Sequence, residues 1–316
     1  MIVPWHNIDY PLGFYLGDKR LFSKKFALCG CEVGLVQGIN SAEVIASKPE
    51  LESGQDGYMM RGLPVEEVPD KLTDEGNFIC YTPNVYKRYY AELNTDYDTY
   101  LKSFSSKTRS TIRRKVKKFL QSSNGDVEFK CYKTATEVNE FFSIAAALSS
   151  KTYQENLLGV GLPTSEEYKQ EMLEQADKNK IRAYLLFHDN KAVAYLFLTS
   201  RGDSLIYDYL GYDPEYMKWS VGTVLNWLAF EELFKEQTFS MLDFTEGESQ
   251  QKSTFSTASL TCANTFYIRK NLVNRCFLFA HLGIDEISKY LGDLLDKLGV
   301  KAKIRKWLRH GMTSRA

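Results

Sequence analysis

The chain has 316 residues, 44% of them hydrophobic and 25% charged, with 40 Lys and Arg balancing 40 Asp and Glu. So much apolar material fills a large core and excludes wholesale disorder. The zero net charge excludes a dedicated nucleic-acid coat, though local patches remain open. Six scattered cysteines form no CxxC pair and only four histidines accompany them, so no metal site is expected. The start MIVPWHNIDY lacks a basic n-region and an apolar stretch, and no apolar run approaches the roughly 20 residues of a bilayer span. A cytoplasmic protein with reduced thiols is expected.

Residues 1–95 are rich in Gly and aromatics, and short apolar runs such as Phe26–Cys29 and Phe78–Tyr81 read as strands. Residues 98–121 lack Gly and Pro and read as a helix or helix pair. Ile112, Val116, Phe119 and Leu120 share one face, and Ser105 or Ser106 serves as cap. A strand follows over 127–132, then helices near 136–153 and 164–179. Residues 181–213 hold three β-rich runs separated by the turns Asp189-Asn190-Lys191 and Arg201-Gly202-Asp203, an antiparallel meander. A helix over 221–235, a strand over 239–244, a polar loop over 245–253 and a strand over 259–268 complete an α+β order. Residues 271–310 read as helical with a basic amphipathic end.

Several of these positions suit chemistry. Ser220, Val221, Gly222 and Thr223 open a helix, where free N–H groups and the dipole favour an anion; the plain alternative is that Ser220 is an N-cap. Asp243 ends a strand, as a base or as an acid paired with Lys or Arg. Lys252 suits a phosphate or an oxyanion, or is simply solvated. Tyr209 and Tyr212 close the meander, as pocket residues or core aromatics. Gly247 and Glu248 lie in the polar loop. Eight Lys and Arg and no acid occur between residues 102 and 118, with Arg109, Arg113 and Lys117 on one face. Such a face suits phosphates, or is merely solvated. The tail holds Lys301, Lys303, Arg305, Lys306 and Arg309 among Val300, Ile304, Trp307 and Leu308, which suits either a membrane surface or docking onto the domain. Cys29 and Cys31 form a C-x-C pair whose ordinary reading is buried thiols.

TRSTIRRKVKKF at 108–119 and the block over 209–255 resemble the GNAT superfamily in its CelD-like and Fem-type branch. The second block keeps Asp213, Pro214, Glu215, Tyr216, Ser220, Gly222, Thr223, Leu225, Asp243, Phe244, Gly247, Glu248, Lys252 and Phe255. Val221 stands where that branch has Pro, Gln251 where it has Tyr, and Met217 where the GNAT pyrophosphate signature has Gln or Arg. The resemblance implies a GNAT-like α+β fold of mixed sheet and flanking helices, built as two lobes. It divides the chain into a degenerate lobe over 1–125, an acyltransferase domain over 126–270 and packing helices over 271–316.

It also implies acyl transfer from acetyl-CoA or another acyl-CoA, with no metal. The acceptor is a small molecule: an amine or hydroxyl of a sugar or amino-sugar precursor, nucleotide- or lipid-linked, in surface polysaccharide biosynthesis. Asp243, Lys252 and Tyr209 are then the catalytic candidates, Ser220–Thr223 the cofactor site, and Arg109, Arg113, Tyr212, Gly247 and Glu248 the substrate contacts. Peripheral membrane contact falls to the basic tail. Two other functions compete: a Fem-like ligase drawing on aminoacyl-tRNA, and a GNAT-fold scaffold without chemistry.

Overall fold

A computed structural model describes residues 4–16, 19–35, 40–122, 127–151 and 161–297. The chain forms two compact units, one of Met1–Val33, Gly38–Val85 and Cys262–Ala316, the other of Gly34–Gln37 and Tyr86–Thr261. The expected boundary near residue 125 is not where the structure divides. The helix over 106–120 packs on the helix over 221–236 and falls in the second unit, whereas most of the last strand falls in the first.

In the first unit a long hairpin of β1 (Trp5–Leu16) and β2 (Lys19–Glu32) runs antiparallel, and β2 pairs in parallel with β3 (Gly57–Pro64). The crossover between β2 and β3 holds the short α1 (Ser41–Ala46). β3 lies against β11 (Ala258–Arg269), and β4 (Leu72–Glu75) pairs with the start of β5 (Phe78–Glu92). The hairpin is far longer than its sequence suggests, because Pro11 and Gly13 interrupt β1 and hide its alternation. Gly57 has to be glycine: a Cβ there would lie 1.8 Å from the Tyr267 carbonyl oxygen. α8 (Leu272–Lys297) seats Leu278 against Leu12, Phe26 and Leu28. Cys29, Cys31 and Cys80 lie in a second cluster around Val33 and Met60. Burial pushes the Cys31 thiol up to about 12, the opposite of what a redox-active C-x-C pair needs.

The second unit is the α+β, GNAT-like arrangement: a mixed sheet in the order β5-β10-β9-β8-β7-β6 with helices on both faces. β6 (Phe129–Tyr132), β7 (Ile181–His188), β8 (Lys191–Arg201) and β9 (Ser204–Tyr212) are antiparallel neighbours. Asp189 and Asn190 both hold positive φ, as a two-residue hairpin turn demands. α2 (Tyr97–Ser103), α3 (Ser106–Leu120) and α6 (Val221–Glu236) build one core with the sheet; α4 (Ala135–Ser149) and α5 (Glu166–Asp177) build the other. Every residue of β7 is buried, so it reads as a continuous apolar run. Its exceptions are His188 at the strand's end and Arg182, which forks onto Glu236 of α6 with Nε 3.0 and 2.9 Å from the two carboxylate oxygens. Burial works to raise the Glu236 carboxyl, but the hydrogen bonds of Arg182 and Lys133 outweigh it and hold the group near about 2.

The 98–121 region is a helix pair, broken at Phe104, with the Ser105 hydroxyl capping α3 through Thr108 N at 3.1 Å. The loop expected over 245–253 contains a short helix, α7 (Gln250–Phe255), capped by Ser249. The basic tail beyond residue 297 lies outside the described residues. Among the described residues no helix is long and apolar enough to cross a membrane, and no group of His, Cys, Asp and Glu could hold a metal ion.

Candidate functional site

The site begins with two strands that part. β10 (Met241–Asp243) pairs in parallel with β9 over Ser204–Ile206, and antiparallel with Ala91 and its neighbours on β5. Beyond Asp243 the chain stays with β5, Phe244 N donating to Tyr89 O at 3.0 Å. β9 runs on to Tyr212 with β8. Among the described residues no strand bridges that gap. The rings of Tyr207 and Phe244 meet 5.1 Å apart where the strands diverge.

A bulge in β9 sets which side chains face α6. Phe197 pairs with Tyr209 but Leu198 with Tyr207, so Asp208 is the extra residue. Its carboxylate accepts from Thr199 N at 2.8 Å and Thr199 Oγ1 at 2.7 Å. One added residue reverses the strand's alternation. Tyr207, Leu210 and Tyr212 therefore pack toward α6, whereas Tyr209 turns to the opposite face and hydrogen-bonds with Tyr168.

The start of α6 lies beside Leu210 and Tyr212. Asp213 caps the 3-10 turn Pro214–Trp219 through Glu215 N at 3.0 Å. That turn ends at Ser220, whose φ of 55° and ψ of 40° are left-handed. The N–H groups of Thr223 and Val224 donate to Ser220 O, and the Ser220 hydroxyl makes no capping bond. The amides of Val221 and Gly222 thus lead the helix with no intrahelical acceptor. A Cβ on Gly222 would lie 3.5 Å from Tyr212 and 3.7 Å from Gln251, whose amide donates to Gly222 O at 3.2 Å. Gln251, which stands where the resembled branch has Tyr, ties α7 to the head of α6. Lys118 of α3 and Lys218 hold their ammonium groups 5.1 and 5.4 Å from the Trp219 ring centroid. Helix dipole and both lysines make this head electropositive.

A buried charge cluster adjoins it. Asp243 is fully buried and receives Arg88 in a fork, Nε at 3.0 and 3.1 Å from its two oxygens, plus Thr245 N at 2.8 Å. Arg88 lies two residues from Tyr90, the register partner of Asp243, and so shares its face. Lys252, half-buried on α7, donates to Glu246 O at 2.6 Å, and its Nζ lies 3.8 Å from the Cβ position of Gly247. Burial lowers the Lys252 pKa, and Arg88 adds to this, against the pull of Asp243 and Glu246. Gly247 holds a φ of +94°, and Glu248 accepts from Lys87 N at 3.3 Å.

The structure therefore brings together Ser220–Thr223, Tyr212, Gly247, Lys252 and Asp243. Tyr209 faces away. Arg109 donates to Leu101 O at 3.1 Å, tying α2 to α3, and Arg113 is exposed on α3. Arg88, Lys218 and Trp219 escaped sequence reasoning, and Lys118 entered it only as one of the eight cations of the basic run. Arg88 is 155 residues from its partner, and only the approach of α3 to the 3-10 turn shows that Lys118 and Lys218 share a ring.

Residues 106–253 match the model of the acetyltransferase (GNAT) domain family. A search of curated proteins returned no match. Similar solved structures include a conserved protein of Bacteroides thetaiotaomicron, 12% identical, covering 77% of this chain and 85% of that one at a TM-score of 0.48. FemX is 9% identical over 84% and 88% of the two chains, at 0.46. The C-terminal domain of a putative lysylphosphatidylglycerol synthetase from Agrobacterium fabrum is 10% identical over 66% of each chain, at 0.45.

Proposed function

We propose that this chain, with its acetyltransferase (GNAT) domain over residues 106–253, transfers an acyl group from acyl-CoA to an amine or hydroxyl of a sugar or amino-sugar precursor. The observation that carries the donor assignment is the head of α6. Two amides without intrahelical acceptors, at Val221 and Gly222, open a helix flanked by Lys118 and Lys218 beside the β9–β10 gap. That donor set fits a diphosphate: backbone N–H groups approach it closely at Gly222, and the dipole and lysines favour its charge. The sugar acceptor rests on the resemblance to the CelD-like branch.

Acyl-CoA, when bound, supplies an activated thioester carbonyl. The chain's residues must then take a proton from the acceptor and exclude water. Lys252 suits the first task. Its amine is pushed below the ordinary lysine value by burial, so a neutral, proton-accepting fraction exists nearer neutral pH than for a free lysine. Asp243 is a positioning residue, since both its oxygens are engaged by Arg88 and Thr245. Tyr212 walls the head of α6.

The experiment follows release of the free CoA thiol from acetyl-CoA in the presence of amino sugars and sugar nucleotides, for the wild type and Lys252→Gln. Acceptor-dependent release that falls about 100-fold or more in the variant, the scale of a general base, supports the reading. Release unaffected by Lys252→Gln overturns the proton role. Release with no acceptor dependence overturns the transferase.

A further inference from the structure

α3 carries Lys107, Arg109, Arg113, Arg114, Lys115, Lys117 and Lys118 and no acid. None of these seven forms an ion pair with a described acid. Lysines elsewhere do: Lys71, Lys130, Lys133, Lys191, Lys235 and Lys270 each meet a carboxylate. Five of the seven α3 cations are exposed, at 107, 113, 114, 117 and 118. At the C-terminal end of this face the character changes. Leu120 is 46% exposed and Met217 of the 3-10 turn is 62% exposed. Between the two elements lies Trp219, half-buried, with Lys118 and Lys218 over its ring.

We infer that this face of α3, with Met217, Lys218 and Trp219, docks onto an anionic lipid surface. The cations would meet headgroup phosphates, and Leu120 and Met217 would enter the boundary of the acyl chains. Trp219 would sit at the interface, where amphipathic rings are favoured. A nucleic acid would use the same cations but gain nothing from Leu120 and Met217. The chain's zero net charge leaves this patch to act by itself. Ser220–Thr223 follow Trp219 directly, so a chain docked in this way holds the head of α6 next to the lipid headgroups. This gives a lipid-linked acceptor a route to the site. The docking stands apart from the acyltransferase reading, because it is measured without donor or acceptor.

The test is flotation of the full chain with vesicles of phosphatidylcholine alone or mixed with phosphatidylglycerol. Binding is expected only to the mixed vesicles, and to be lost at high salt. The triple variant Lys107→Gln, Arg114→Gln, Lys117→Gln should bind about 100-fold more weakly, at roughly fivefold per cation. The pair Leu120→Ser, Met217→Ser should bind several-fold more weakly with unchanged salt dependence. Thermal melts matching wild type establish that both variants fold. Three results would overturn the proposal: no binding to the mixed vesicles; binding that survives the triple variant and is lost on neutralising Lys301, Lys303 and Arg305; or RNA binding that needs the α3 cations while vesicle binding ignores Leu120 and Met217.

Discussion

Asp243 is the residue on which two readings of the site divide most sharply. Its side chain is fully buried and that of Arg88 is 4% exposed, so neither charge has water to fall back on. Removing one partner of a buried pair strands the other and costs about 3–5 kcal/mol. Asp243→Ala also leaves Thr245 N without its acceptor, at about 1 kcal/mol more. For a unit of this size roughly 2–4 °C accompanies each kcal/mol, so the melt should fall by on the order of ten degrees. Asp243→Asn keeps the shape and the Thr245 bond but loses the charge, and should still cost several kcal/mol. The double variant Arg88→Met, Asp243→Leu should recover most of the loss, since apolar replacement of a buried pair is often neutral or better. Denaturant unfolding of the wild type, Arg88→Met, Asp243→Leu and their double variant measures this as a double-mutant cycle. A proton-accepting Asp243 predicts the reverse pattern: Asp243→Asn within about 1 kcal/mol of wild type, with turnover abolished. Single variants near wild type, or a double variant as unstable as the two losses added, would refute the argument.

Other perturbations follow from the same geometry. A Cβ at Gly211 would lie 2.2 Å from the Tyr195 ring, which is 1% exposed and fixed through Ser149, so Gly211→Ala should cost about 1–3 kcal/mol in a denaturant melt. Tyr207 donates to Asn226 Oδ1 at 3.1 Å, and Asn226 Nδ2 is buried without a partner among the described residues. Asn226→Leu alone should therefore destabilise by about 1–3 kcal/mol by orphaning the Tyr207 hydroxyl, while adding Tyr207→Phe should restore most of it. Lys252 has a folded-state pKa below its unfolded value of 10.5, so below that window both states are protonated and its burial penalty is fully present. As pH rises through the window the native state sheds its proton first. The wild type should thus gain stability relative to Lys252→Met from neutral to alkaline pH, read by unfolding at a series of pH values.

The meander and the helix after it were legible because their signals are local. The two-residue turn at Asp189–Asn190 and the β-rich runs of 181–213 carry their own periodicity. The head of α6 was legible through its Ser-Val-Gly-Thr run, though the Ser220 hydroxyl does not cap it and the residue instead takes a left-handed turn. Tyr209 was misplaced for a physical reason: one bulged residue, Asp208, reverses the face of everything after it, and nothing in the composition of β9 announces a bulge. The long β1–β2 hairpin escaped because Pro11 and Gly13 interrupt β1 and hide its alternation. Arg88 escaped because an arginine beside an exposed Lys87 reads as solvated until its distant carboxylate is brought to it.

The central claim is that the head of α6 holds an acyl donor. Its most direct test is a thermal-shift titration of the purified chain with CoA, acetyl-CoA and longer acyl-CoAs, beside Gly222→Trp, which would fill the space next to Tyr212. A ligand at about 100 times its dissociation constant adds roughly 2.7 kcal/mol, a shift of a few degrees for a chain of this length. The account predicts that shift in the wild type and its loss in the variant. No shift with any CoA, or one that Gly222→Trp leaves intact, would contradict it, and a shift with charged tRNA instead would give the donor site to the aminoacyl-tRNA reading.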